Sequence, residues 1–168
     1  MSGFEEFFTV EYPRVVGMLA LATGDRRAAE DAAQEAFARA YQKWSMVSQT
    51  ERPGAWVYVV AVRYARRVSG RERRISARGA AQLVDDAVAD LAEARVDALT
   101  LQAALARLPV RQRLVVVLRY FAGLSTHETA AAMGCAPGTV KSALHAALRN
   151  LHQILEPESD PDIGPVPA

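Results

Sequence analysis

Residues 125–150, STHETAAAMGCAPGTVKSALHAALRN, have the layout of two helices joined by a tight turn. Ser125 is a good helix N-cap, and Glu128 three residues later completes the pattern of a capping box. Gly134 supplies the left-handed backbone conformation that a tight turn needs, and Pro137 suits the first turn of a following helix. The spacing predicts a helix-turn-helix, a motif whose second helix commonly lies in the major groove of DNA.

The predicted motif has an apolar inward face and a polar, partly basic outward face. The inward residues are Leu124, Met133, Val140, Leu144 and Leu148. The outward residues are Thr139, Lys141, Ser142, His145 and Arg149. Ala143 and Ala146 occupy places where long basic side chains are expected, so the second helix alone should bind DNA weakly. An ordinary helical hairpin that only packs a core is the alternative.

The net charge of +1 conceals a strong segregation of charge along the chain. Residues 63–78 hold seven arginines against one glutamate, and residues 79–97 hold five acids against one arginine. Residues 98–156 are again basic. Arginine clusters are typical of surfaces that contact phosphate, although such a run can also be a solvated helix face. The pattern predicts two polyanion-facing units joined by an acidic connector.

Helical spacing of apolar residues dominates the chain, and alternating β-branched runs and Asn-Gly turns are absent from the sequence. We therefore expect an all-α protein with two small helical domains, over residues 3–75 and 98–155. A flexible acidic linker, residues 76–97, would join them. Residues 156–168 are rich in proline and acid and predict a disordered tail.

Three helices are predicted in the first domain, over about 3–22, 26–44 and 54–73. Pro13 is expected to kink or divide the first helix, and Asp25 to cap the second. Residues 45–53 are expected to form a polar loop that ends at Pro53. The apolar side of the second helix is predicted to be Ala29, Ala33, Ala36, Phe37, Ala40, Tyr41 and Trp44. In the second domain a helix should end at Pro109 and the next should cover about 110–121.

The second predicted helix also carries an acidic outward face, formed by Glu30, Asp31, Gln34, Glu35 and Arg39. Asp31 and Glu35 are four residues apart, so like charges repel on adjacent turns at a cost of roughly 0.2–0.5 kcal/mol. Acids near a helix start gain from the helix dipole, which accounts for Glu30 and Asp31 better than for Glu35. The other interpretation is a docking face for a basic protein surface.

Trp56, Tyr58 and Tyr64 lie on the predicted helix that runs into the arginine-rich segment. Aromatic rings beside arginines suit single-stranded nucleic acid, because bases stack on rings while phosphates pair with guanidinium groups. Burial in the protein core is the alternative for Trp56 and Tyr64. The arginines make phosphate contact the expected role of this helix.

Several kinds of chemistry have no motif in this sequence: it has no glycine-rich phosphate loop, no pair of cysteines and no nucleophile motif. His127, His145, His152 and Cys135 are not at metal-ligand spacing. A single cysteine suits core packing in a reducing compartment, and no run of about 20 apolar residues predicts membrane insertion. We expect a cytoplasmic protein that is not an enzyme and uses neither cofactor nor metal.

Taken together, these residues resemble the extracytoplasmic-function group of bacterial sigma factors, the compact branch of the sigma-70 family with only regions 2 and 4. The segment AAEDAAQEAFARAYQKW is similar to region 2.2, and WVYVVAVRYARRVSGRERR is similar to regions 2.3 to 2.4. LPVRQRLVVVLRYFAGLSTHETAAAMGCAPGTVKSALHAAL is similar to region 4. The resemblance covers nearly all of residues 4–155.

The resemblance implies promoter-specific transcription initiation with core RNA polymerase. Region 2 would dock on the coiled coil of the polymerase β′ subunit and recognise and melt the −10 element, with a flipped base in the loop at 45–53. Region 4 would read the −35 element and meet the β flap. By position, the polymerase contacts would be Asp31, Gln34 and Glu35. The −10 contacts would be Trp56, Arg63, Arg66, Arg67 and Arg71. The −35 contacts would be Thr139, Lys141, Ser142, His145 and Arg149.

The resemblance also implies a regulatory partner, because family members are often held inactive by an anti-sigma factor. The chain departs from the family at Ala143 and Ala146, where basic residues are usual, which predicts weak −35 reading. Thr129 stands where the family generally has isoleucine or valine, so the core of the helix-turn-helix should be looser.

Two other functions fit parts of the sequence. A stand-alone helix-turn-helix regulator that dimerises on a palindromic duplex explains residues 98–155 but leaves the acidic face and the arginine helix without a role. A degenerate sigma factor that binds polymerase without reading promoters would account for Ala143 and Ala146.

Overall fold

The protein is described by a computed structural model that covers residues 3–75 and 95–156. Its α-helices are α1 (Gly3–Thr23), α2 (Arg26–Gln42), α3 (Trp44–Val47), α4 (Pro53–Ile75), α5 (Arg95–Ala106), α6 (Val110–Val116), α7 (Thr126–Met133) and α8 (Pro137–Leu155). A π-helical turn, Val117–Phe121, follows α6. Within the described residues no strand occurs, so the all-α prediction is confirmed.

The predicted linker and tail lie almost wholly outside the described residues. At the linker's end, α5 begins at Arg95, slightly before the predicted start of the second domain. We refer below to α1–α4 as the N-terminal half and to α5–α8, with the π-helical turn, as the C-terminal half.

Helix α1 is continuous through Pro13, so of the two expectations for this proline division is excluded, and the kink stays a prediction. Proline removes one backbone hydrogen bond from a helix interior. Val15, Val16 and Leu19 follow it directly and are almost fully buried. Their burial holds the second part of the helix against the core, which offsets the missing bond.

Helix α2 packs between α1 and α4 through a face made mostly of alanine. The prediction that Asp25 caps this helix is confirmed, because its side chain accepts a hydrogen bond of 3.0 Å from the Ala28 amide. The buried residues of α2 are Ala29, Ala32, Ala33, Ala36, Phe37 and Ala40. Tyr41 was wrongly placed on this side: it is 66% exposed, and its ring makes an edge-to-face contact with the Phe4 ring at a centroid distance of 5.0 Å.

The segment predicted as a polar loop contains a short helix. Residues Trp44–Val47 form α3, and Val47 is fully buried, so the loop prediction was wrong over residues 45–47. Pro53 is the first residue of α4 and not the end of the loop. Proline is favoured at this position because the first helical N–H has no partner within the helix.

The helix-turn-helix formed by α7 and α8 has the predicted local geometry. The Ser125 side chain accepts from the Glu128 amide at 3.1 Å, and the Glu128 carboxylate accepts from the Ser125 amide at 2.6 Å. Gly134 adopts φ 62°, and Pro137 opens α8. Leu124, Met133 and Val140 are buried as predicted.

Leu148, which was also predicted to face inward, is 42% exposed. The buried residues in the second part of α8 are Ala147 and Leu151, because α5 and α6 pack against that side of the helix. The helix predicted over 110–121 is present, but its last turn is the π-helical turn.

The two halves share one hydrophobic core. Buried residues from α1, α2 and α4 form a continuous cluster with Val115, Leu118, Leu124, Ala130, Ala132, Met133 and Val140 of the C-terminal half. A smaller cluster, built by α5, α6 and α8, lies within the C-terminal half and is partly covered by Leu21 of α1. The described helices therefore enclose the junction between the halves in apolar contacts.

Thr129→Val is expected to stabilise the protein. Thr129 is fully buried, and its hydroxyl has no hydrogen-bond partner among the described residues. Replacing a buried, unpaired hydroxyl with a methyl group of similar shape should raise the free energy of unfolding by about 1 kcal/mol. Urea denaturation measures the change, and Thr139→Val on the exposed face of α8 is the matched control, expected within about 0.5 kcal/mol of wild type. A loss of stability in Thr129→Val would contradict this packing.

Alanine substitutions at Gly134 and Gly138 should change stability in opposite directions. Gly134 has a positive φ, and a Cβ there would lie 2.8 Å from Arg66 Nη1. Gly134→Ala should therefore cost at least about 1 kcal/mol. Gly138 is helical with open space around it, so Gly138→Ala should gain roughly 0.5 kcal/mol. Thermal unfolding of both variants tests the turn; shifts of equal sign would show that the turn differs from this geometry.

Candidate nucleic-acid and protein interfaces

The acidic face of α2 is exposed and only partly neutralised. Asp31 and Gln34 are exposed, and no side chain in the described ranges pairs with either. Glu35 accepts from the Arg39 guanidinium at 2.6 Å to Nη2. An exposed ion pair of this kind contributes about 0.2–1 kcal/mol at most, so an incoming cation can exchange with Arg39. The face can thus accept a basic protein surface.

An aromatic cluster packs between α1 and α2, the helix that carries this face. Phe37 of α2 is buried against the rings of Phe7, Phe8 and Tyr12 of α1, at centroid separations between 5.2 and 5.7 Å. Such ring pairs add roughly 0.5–1.5 kcal/mol each beyond their burial. The cluster fixes α2 on α1, so the acidic face is presented on a rigid element.

Helix α4 presents the predicted arginines along its exposed side. Arg63, Arg66 and Arg67 are all exposed, and the Arg67 guanidinium lies 5.5 Å from the centre of the Tyr64 ring. Trp56 is half-buried against the shared core, which fits the structural interpretation of this ring and leaves part of it accessible. Arg71 belongs to the end of α4, where the side chains lie outside the described residues.

Two of these arginines contact the helix-turn-helix. The Arg63 Nε donates to the Ala131 carbonyl at 2.9 Å, and the Arg66 Nη1 donates to the Ala132 carbonyl at 3.4 Å. The arginine face of the N-terminal half therefore touches the end of α7 directly. Sequence reasoning had left the relative placement of the two halves open.

Arg52 is a functional candidate that the sequence did not single out. Its guanidinium donates to Glu128 Oε2 at 2.9 Å and to the Gly123 carbonyl at 2.7 Å. The residue lies immediately before Pro53, in the segment predicted to hold a flipped base. Its position beside that proline was the only available signal, and no local pattern reveals a partner 76 residues away.

A cleft of about 520 Å³ lies beside this contact, lined by residues that include Glu11, Arg14, Arg52, Tyr58 and Phe121. Burial raises the pKa of the Tyr58 hydroxyl, and the nearby Glu11 carboxylate acts in the same direction. The phenol therefore stays neutral. The cations at the cleft are Arg14 and Arg52, and Arg14 is already paired with Glu11 at 3.1 Å.

The outward residues of α8 lie on the surface, as the motif predicts. Thr139, Lys141, Ser142, His145 and Arg149 are all exposed. The Ser142 hydroxyl donates to the Gly138 carbonyl at 3.0 Å, so in this state only its oxygen lone pairs are available to a ligand. Lys141 and Arg149 supply the positive charge of the face.

Ala143 and Ala146, where the resemblance to sigma factors predicts basic residues, are half-buried. Ala143 packs against the shared core, so a long basic side chain there would have to turn away from the core. This placement gives one physical reason for a small residue at that position. Ala146 is likewise only partly accessible.

No group of three or more metal-ligating side chains comes together within the described residues. Cys135 is a free, half-buried cysteine that packs against the shared core, in agreement with the structural interpretation. Among the described helices, none has both the length and the apolar character needed to cross a membrane.

Comparison with known proteins assigns both halves to one family. A family model described as Sigma-70 region 2 matches residues 7–90, and one described as Sigma-70, region 4 matches residues 98–151. The RNA polymerase sigma-E factor of Streptomyces antibioticus is 39% identical over 76% of this chain and 71% of its own length. The corresponding factor of Streptomyces avermitilis is 35% identical over 91% of this chain and 85% of its own length.

A mycobacterial relative agrees with this assignment, and a solved structure has the same fold. The ECF RNA polymerase sigma factor SigL of Mycobacterium tuberculosis is 36% identical over 80% of this chain and 78% of its own length. The solved structure, of the sigma factor RpoE in complex with the anti-sigma factor NepR from Bartonella quintana, has the same fold. It matches with a TM-score of 0.70 and 24% identity, over 93% of this chain and 98% of that one. The chain therefore belongs to the sigma-70 family of RNA polymerase sigma factors, within its extracytoplasmic-function group.

Proposed function

We propose that this sigma factor contacts core polymerase, the −10 element and the −35 element through three separate exposed faces, on α2, α4 and α8. As a family member with both region 2 and region 4, the chain directs promoter-specific transcription initiation. The presence of both regions in one chain favours this function over that of a stand-alone dimeric regulator, because such a regulator would not need region 2. We take residues 3–75 as the region 2 domain and 98–155 as the region 4 domain.

The polymerase contact on α2 consists of Asp31, Gln34 and Glu35. Two of these side chains have no partner among the described residues, and the third is paired with the half-buried Arg39. Carboxylates on a rigid helix complement a basic surface on the β′ coiled coil, and such complementarity mainly speeds association and fixes orientation.

The −10 contacts are Trp56, Arg63, Arg66, Arg67 and Arg71. The arginines that the structure describes form an exposed row, and Arg67 lies beside the Tyr64 ring. Aromatic rings and guanidinium groups on one helix suit a melted strand, because its unpaired bases expose their faces for stacking. The loop that ends before Pro53, ahead of the same helix, would hold the flipped base.

The −35 contacts are Thr139, Lys141, Ser142, His145 and Arg149. All five are exposed near the start and middle of α8, the part of a recognition helix that approaches base edges and phosphates. Leu148 and Leu155 are exposed one heptad apart on α8, and they offer an apolar surface for the β flap.

The regulatory partner of this chain is an anti-sigma factor. The Bartonella quintana relative was solved in complex with the anti-sigma factor NepR. Because the chain acts together with RNA polymerase, its site of action is the cytoplasm. It contributes binding and promoter recognition, while the polymerase supplies the catalysis, so the chain is not itself an enzyme and needs no cofactor.

Asp31→Ala/Glu35→Ala should weaken binding to sigma-free core polymerase by at least about tenfold. The two carboxylates carry the negative charge of the proposed contact on α2, and losing charge pairs at an interface commonly costs more than about 1.4 kcal/mol. Competitive binding against labelled wild type measures the loss. The control, Glu6→Ala/Glu156→Ala, removes the same charge from exposed sites elsewhere and should bind normally. Equal binding by both variants would exclude α2 as the docking face.

Lys141→Ala should reduce the salt dependence of holoenzyme binding to a duplex that carries the −35 element. Removal of one phosphate contact lowers the slope of log K against log salt concentration by about 1. The control is Arg111→Ala, an exposed cation on α6, which should leave the slope unchanged. An unchanged slope for Lys141→Ala would place this side chain away from the DNA backbone.

A further inference from the structure

The cleft beside Arg52 has the dimensions of a small-molecule site. Its volume of about 520 Å³ falls within the range of roughly 300–1,000 Å³ that is typical of such sites. Residues of α1, of the start of α4 and of the π-helical turn line it. None of the side chains assigned above to the polymerase, −10 or −35 contacts belongs to this lining, so the inference does not rest on the proposed function.

The apolar part of the lining includes an aromatic ring that the fold leaves accessible. Phe121 is 39% exposed and faces the cleft together with Met18, Ala55 and Ala122. It is the last residue of the π-helical turn. Single π-helical turns within α-helices occur frequently at functional sites. The Phe121 ring is therefore available to cover an apolar ligand.

Gly54 keeps one side of the cleft open. It is the second residue of α4 and does not have a positive φ, so its backbone conformation does not require glycine. A Cβ at this position would lie 3.4 Å from Glu11 Oε2, and both residues line the cleft. A longer side chain would extend into the cleft beside Glu11, and glycine leaves that space free.

The polar part of the lining has more hydrogen-bond donors than acceptors. Two guanidinium groups, of Arg14 and Arg52, accompany one carboxylate, of Glu11. Arg14 donates one hydrogen bond to Glu11 and Arg52 donates two within the protein, which use only part of the five N–H donors of each guanidinium. The Tyr58 hydroxyl has no hydrogen-bond partner among the described residues, and burial raises its pKa, so it remains a donor.

We propose that this cleft binds a small organic acid. The apolar body of the ligand packs against Phe121 and Met18, and its carboxylate accepts hydrogen bonds from Arg14 and Arg52. Carboxylates are the groups that guanidinium donors bind most strongly among common metabolite functions, together with phosphates. Such a site lets the sigma factor respond directly to a small acid, without a protein regulator as intermediary.

The test compares two probes of the same shape and different charge, a naphthalene carboxylate and its carboxamide. The full chain is isotope-labelled at the methyl groups of its methionines, of which Met18 lines the cleft while Met46 and Met133 do not. The Met18 methyl signal in NMR spectra should shift saturably with the carboxylate, while the other two signals stay in place. The expected Kd is about 1 mM or tighter, a level that ligands of this size reach. The uncharged amide should bind at least about fivefold more weakly.

A matched pair of glycine variants tests whether the probe occupies the cleft. Gly54→Gln places a side chain in the free space and should weaken carboxylate binding at least about tenfold. The control is Gly138→Gln. Gly138 is also the second residue of a helix that begins with proline, and its Cβ position has no neighbour within 4 Å. This variant should bind the carboxylate as the wild type does.

Arginine variants test the chemical class of the ligand. Arg14→Gln and Arg52→Gln should each reduce the preference for the carboxylate over the amide, because each removes a charged donor. Arg27→Gln removes an exposed guanidinium from α2, outside the cleft, and should keep the full preference. Equal binding of both probes by the wild type, or a preference that survives in both cleft variants, would contradict an acidic ligand.

Two results would overturn the site itself: neither probe shifts the Met18 signal saturably, or Gly54→Gln binds the carboxylate as tightly as the wild type. If circular dichroism shows that Gly54→Gln is unfolded, Phe121→Ala decides. The Phe121 side chain is partly exposed, so its removal spares most of the core. This variant should bind both probes at least about threefold more weakly, since the apolar contact is lost. Unchanged binding would refute the proposal.

Discussion

The shared core between the N-terminal and C-terminal halves is the constraint on which the rest of this structure depends. Each half supplies only part of an apolar surface, and residues such as Leu118, Leu124 and Met133 complete the core built by α1, α2 and α4. Small domains bury a low fraction of their surface and are marginal alone. Packing them together gives the chain one larger core, and it also decides which functional faces remain open.

The three proposed contact faces, on α2, α4 and α8, differ in how far the packing of the two halves leaves them exposed. The acidic face of α2 and the outward face of α8 are both exposed in this state, as the proposed contacts with polymerase and duplex DNA require. On α4, Arg63 and Arg66 donate hydrogen bonds to backbone carbonyls at the end of α7.

Local signals in the sequence predicted the local structure well. The capping box at Ser125 and the left-handed Gly134 are properties of neighbouring residues, and both are confirmed. The errors arose where tertiary packing decides the conformation or the exposure of a residue. Pro13 stays within a helix because adjacent side chains are buried, and Leu148 is exposed because α5 and α6 pack against the side of α8 that carries Ala147 and Leu151. The contacts of Arg52 depend on groups more than 70 residues away, and periodicity carries no information about them.

The measurement that most directly tests the account is run-off transcription with purified sigma-free core polymerase on genomic fragments. The account predicts that adding this chain yields discrete transcripts whose start points share common −10 and −35 sequences, while core polymerase alone yields none. Binding to core polymerase without any discrete start point would contradict promoter recognition and would indicate an interaction module. Tight binding of the chain to a palindromic duplex in the absence of polymerase would contradict the sigma factor account altogether.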